Sequence, residues 1–126
     1  MNTRLCQFRY ETSSWKRVLE FIKQENIVAK NHLAEVISFS PAEQYFLNDV
    51  EYLLNNIVKI ETAVSLIHKD VQYFEKLIDK EYYVDGVTKG LISHLNTINK
   101  DIKNLETEFK NIKHQIDNFL FNTLLS

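Results

Sequence analysis

Cys6 and His94 are the residue types of an activated nucleophile, a thiol beside an imidazole that can take its proton. Chain reversals at residues 40–41 and 85–86 would bring both toward the same end of the molecule. No partner acid and no oxyanion donors can be identified around them, so a small buried cysteine is the expected role. His68 stands beside Asp70, at about the level of Asp101 and Glu11, and is expected in a surface ion pair rather than as a general base. His114 falls on an outer face and is expected in solvent.

Metal chemistry finds no support in the spacing. Di-iron bundles use Glu-x-x-His pairs. Three residues before His32, His68, His94 and His114 stand Ala29, Ser65, Leu91 and Asn111, none of them acidic. No two histidines lie four apart, and HExxH, GxGxxG, a Walker loop and GxSxG are all missing from the sequence. We expect no catalytic residue, no cofactor and no metal.

Tyrosines offer a different chemistry, that of contact. On the helix assigned below to residues 41–81, Tyr45, Tyr52, Leu66 and Tyr73 recur at multiples of seven, outside the row that faces the core. Phe121, Leu124 and Leu125 also fall off the core-facing row, at the end where Tyr45 lies. Either the rings lie over the edge of the core with their hydroxyls in water and the C-terminal residues cap that end of it, or together they form a docking surface, since exposed apolar strips of this length mark interfaces. The partner expected is a second copy, giving a homodimer, or another helical protein.

The elements that position these residues are read from one proline and a period. Ser40-Pro41-Ala42-Glu43 is a helix start, with a capping serine, proline at the first helical position and glutamate at the third. Pro41 also drives Ser40 out of the α region and ends what precedes it. Two helices with almost no loop between them are antiparallel neighbours. Beyond Pro41 the row Phe46, Val50, Leu53, Ile57, Ile60, Val64, Ile67, Val71, Phe74, Ile78 alternates steps of four and three, a heptad seam. Asn48, Asn55, Thr62, Lys69 and Lys76 lie opposite it, as a solvated face. Asp85-Gly86 reads as a turn. The seam then resumes as Leu91, Leu95, Ile98, Ile102, Leu105, Phe109, Ile112, Ile116, Phe119.

The first helix admits two starts. A cap at Ser13 or Ser14 gives a short one. A longer one follows the row Leu5, Phe8, Thr12, Trp15, Leu19, Ile22, Asn26, Ala29, Leu33, Val36. The longer one is favoured, because otherwise Val71, Phe74 and Ile78 would lack a third helix and stay half wet. Asn26, a polar residue on that seam, fixes register or lines a small wet pocket.

Composition agrees. Two glycines and one proline in 126 residues argue against sandwiches, barrels and phosphate loops. Abundant Lys, Asn and Ile with little Ala suit an AT-rich bacterial genome. The formal charge is −2 and no segment is strongly basic, which argues against nucleic acid. One cysteine excludes an internal disulfide. No apolar run of signal-peptide or membrane-spanning type appears, so the cytoplasm is expected.

The sequence thus predicts an all-α, up-down-up antiparallel three-helix bundle with coiled-coil-like heptad packing, helices at about 3–38, 41–81 and 87–123, in one domain spanning 1–126. The function expected is a non-catalytic helical interaction or scaffold module. It would self-associate through Tyr45, Tyr52, Leu66, Tyr73, Phe121, Leu124 and Leu125. The alternative is an enzyme or small-ligand protein with a site between helices near Cys6, His94 and Asn26.

Overall fold

The computed structural model describes residues 3–39, 44–81 and 85–125. They form three helices packed on one another: α1 (Thr3–Phe39), α2 (Gln44–Glu81) and α3 (Asp85–Leu125). Cross-helix pairs set the directions. Lys16 meets Glu75 and Lys30 meets Glu61, so numbers rise on α1 as they fall on α2, and the two are antiparallel. Trp15 meets Asn99 and Glu25 meets Lys113, so α3 runs parallel to α1.

The heptad rows become the core. On α2 every row residue from Val50 to Ile78 is buried, and Asn48, Asn55, Thr62, Lys69 and Lys76 are exposed. On α3 the row is buried except for half-buried Ile112 and Phe119. On α1 it is buried except for half-buried Leu5 and Ala29. The longer α1 is the one that forms. Its early residue Phe8 sets its ring against Phe74, 5.7 Å away centre to centre, and Val71, Phe74 and Ile78 are fully covered.

One boundary differs from the sequence reading. Asp85 and Gly86 open α3 rather than forming a turn ahead of it, so α3 begins two residues before 87. Asp is favoured at helix starts as well as in turns, so the dipeptide alone does not separate the two. The capping box at Ser40-Pro41-Ala42-Glu43 lies outside the described residues. Gly90 is helical with open space where a Cβ would stand, so neither φ nor crowding requires glycine there.

The core is not uniform along its length. The larger cluster gathers Phe8, Trp15, Leu19 and Ile22 of α1 with α2 from Ile60 to Ile78 and α3 from Leu91 to Phe109. A smaller, aliphatic cluster of Leu33, Leu53, Ile57 and Ile116 holds the other end. Between them the α1 row runs Ile22, Asn26, Ala29, Leu33, so the seam loses volume over one turn. A groove of about 190 Å³ lies there, lined by Asn26, Ala29, Ile112 and Ile116 among others.

Candidate interaction surfaces

The residues with chemical potential do not converge. Cys6 is exposed. His94 is half-buried, its ring against Phe74 at 5.5 Å and Tyr73 at 5.9 Å. Asn26 is twenty residues further along α1 than Cys6, about 30 Å at helical rise. Its amide is buried and donates from Nδ2 to the Ile57 carbonyl at 3.1 Å, tying α1 to α2. That contact matches a register-setting role: a different stagger would bury the amide against apolar side chains.

Phe74 is the hub of the larger cluster. Phe8, Trp15 and His94, from α1 and α3, all approach its ring edge-on, with centroids 5.4–5.7 Å away. Such edge-to-face pairs add roughly 0.5–1.5 kcal/mol each beyond the area they bury. Trp15 donates from Nε1 to Asn99 Oδ1 at 2.6 Å, so the one polar atom of the buried indole is satisfied. This bond was not foreseen from the sequence, because Asn99 sits one step outside the α3 row and its partner is 84 residues away.

The remaining histidines are surface groups. His114 is exposed and lies 3.3 Å from the Asn118 amide. His68 is exposed and makes no ion pair among the described residues. The α1–α2 register puts it level with Leu19, Glu20 and Lys23, with which it lines a groove of about 660 Å³, and not with Glu11. The expected level fails against α1 by about two turns, whereas the Phe74–His94 contact keeps His68 near the level of Asp101 on α3. Among the described residues no group of three His, Cys, Asp or Glu side chains could hold a metal ion. No helix among them is long and apolar enough to cross a membrane.

No family model, curated protein or solved structure matches the chain.

What the helices present outward is apolar surface in excess. Tyr52, Leu66 and Tyr73 are each more than half exposed, and so is Phe121. Tyr52, Leu66 and Tyr73 share the side of α2 that borders α3, as the Tyr73–His94 ring contact shows. Lys59 interrupts the strip midway between Tyr52 and Leu66. The side chains of Tyr45, Leu124 and Leu125 lie outside the described residues.

A second apolar surface lies on the other side of α2, where Leu47 and Leu54 widen the apolar arc of the helix. On the open side of the α1/α2 seam, Ile27, Ile37, Leu47 and Val58 are 39–50 % exposed, with exposed Ala34 and half-buried Leu54 among them. The Asn26–Ile57 bond places Ile27 and Val58 at the same level of that seam. Charge flanks it. Arg9–Asp79, Lys16–Glu75 and Lys30–Glu61 bridge the two helices at 2.8, 2.7 and 3.6 Å. The signal was in the sequence: Arg9, Lys16, Lys23 and Lys30 recur every seven residues, as do Glu61, His68 and Glu75.

Proposed function

We propose that the chain is a non-catalytic helical interaction or scaffold module, working in the cytoplasm and joining copies of itself or another helical protein. The observation that supports this reading is the exposed strip Tyr52, Leu66, Tyr73 on α2, with Phe121 on α3, on helices whose heptad rows already fill a core. A helix buried on one stripe has no need of a second one. The parts left in water contribute nothing to folding, while covering what is still exposed of each one contributes on the order of 1 kcal/mol. Tyr45, Leu124 and Leu125 extend the same contact surface in this reading. Heptad packing continues as a coiled coil between partners, with ring edges and methyls as the contact chemistry and no bond made or broken.

Light scattering at about 100 μM, where a micromolar contact is filled, tests it. The expected mass is at least twice the 14.9 kDa of one chain. Tyr52→Glu with Leu66→Glu should lower that mass while leaving helicity intact, since both side chains lie outside the core. A wild-type mass of one chain overturns self-association, and an unchanged mass in the double variant removes the strip from the contact.

A further inference from the structure

The α1/α2 face is built like a ladder. Lys16–Glu75 and Lys30–Glu61 are two of its rungs, fourteen residues apart on each helix. The same register sets Lys23 opposite His68 between them, and Ile37 opposite Leu54 one heptad beyond Lys30. The rows that border the open side divide cleanly by charge. On α1 they carry Arg9, Lys16, Lys23 and Lys30 against the single acid Glu20. On α2 they carry Glu51, Glu61, Glu75 and Asp79 and neither Lys nor Arg. Between these rows the end toward Ile37 and Leu47 is apolar, and the middle opens into the 660 Å³ groove.

A face with one basic edge and one acidic edge is complementary to itself under one rotation. A twofold axis lying in the face and parallel to the bundle sets α1 of one copy against α2 of the other. Level is preserved, so basic row meets acidic row and apolar patch meets apolar patch. A twofold axis lying in the face but across the bundle instead sets basic α1 against basic α1. Charge therefore selects the first arrangement, and closed isologous pairing needs nothing else.

We propose that the α1/α2 face is a twofold contact between two copies of this chain, separate from the α2 strip, with Ile27 of each copy packed against Val58 of the other. This rests on the interaction-module reading and adds a second self-contact to it. In the pair, each exposed carboxylate of the ladder gains a second cation, and four helices enclose the patch that α1 and α2 leave open.

The experiment starts from the Tyr52→Glu/Leu66→Glu protein, in which the strip is disabled, with light scattering at about 100 μM and helicity by circular dichroism. That protein should have twice the chain mass. Adding Ile27→Glu and Val58→Glu sets like charges across the contact and should give the single-chain mass with helicity retained. Adding Ile27→Lys and Val58→Glu instead sets opposite charges across it and should keep the pair. A single-chain mass for the starting protein, beside a larger wild type, overturns the α1/α2 contact and leaves the strip proposal standing. A pair that survives Ile27→Glu/Val58→Glu overturns it, and so does dissociation by Ile27→Lys/Val58→Glu, which would mean that α1 faces α1. A wild-type mass equal to one chain overturns both contacts.

Discussion

The two ends of the bundle fill the same heptad pattern with different side chains. At one end Phe74 is fully buried and meets rings from both neighbouring helices, and Trp15 is hydrogen-bonded to α3. At the other, Leu33, Leu53, Ile57 and Ile116 close a smaller cluster backed by half-buried Ala29, Ile112 and Phe119. Rings fix the angle at which helices approach, because edge-on contacts hold only over a narrow range of geometry. Aliphatic side chains accept many arrangements. The aliphatic end is also where Ile27, Ile37, Leu47 and Val58 stay exposed on the α1/α2 face. The contrast lies in how the two ends hold the three helices together, and on the α1/α2 face it is the aliphatic end that retains apolar surface for a further helix.

The largest test of that contrast is a pair of truncations. Phe74→Ala removes the hub of three ring contacts and should cost about 3–5 kcal/mol in urea unfolding. Leu33→Ala should cost closer to about 2 kcal/mol, because Ala29 and Ile112 beside it are not fully packed and can settle into the space. Equal costs at the two sites would mean that the rings add nothing beyond their volume.

A smaller effect marks the junction. Asn26→Ala deletes the bond to the Ile57 carbonyl, which keeps only its own helical partner, and should cost about 1 kcal/mol. A loss near zero would mean that the amide is there for register alone, and a loss of several kcal/mol would tie the two clusters more tightly than the packing shows.

The smallest change should go the other way. Gly90 begins the α3 turn that carries Leu91, at the Phe74 end, and an added Cβ meets nothing within 4 Å. Gly90→Ala should raise stability by about 0.5–1 kcal/mol in thermal melts, since helix interiors disfavour glycine by that much. A loss instead would show that the start of α3 needs glycine's freedom.

What could be read from the sequence follows from how local each signal is. The rows from Val50 to Ile78 and from Leu91 to Ile116 were legible because a four–three alternation of large apolar residues has one structural solution. The α1 row was legible despite Thr12 and Asn26, because Val71, Phe74 and Ile78 required a neighbour. The strip residues Tyr52, Leu66 and Tyr73 were placed outside the core by the same periodicity, and they are exposed. Partner positions across helices were not legible. The level of His68 and the Trp15–Asn99 bond depend on the stagger between helices, which a shift of one turn changes and which no single-helix pattern encodes. The α1/α2 ladder lay between: its seven-residue charge repeat is present in each helix, but its meaning requires knowing that the two rows face each other.

Trp15 is the chain's one tryptophan, and its indole lies against Phe74 with Nε1–H on Asn99. Light absorbed at the red edge of the aromatic band therefore interrogates one end of the molecule. The emission will follow separation of α1 from α3 around Asn99, where the indole would lose its ring partner and meet water. It will be blind to fraying at Leu33 and Ile116, and to anything that settles on the far end. A far-ultraviolet signal averages all three helices, so any gap between the two midpoints measures how independently the ends come apart.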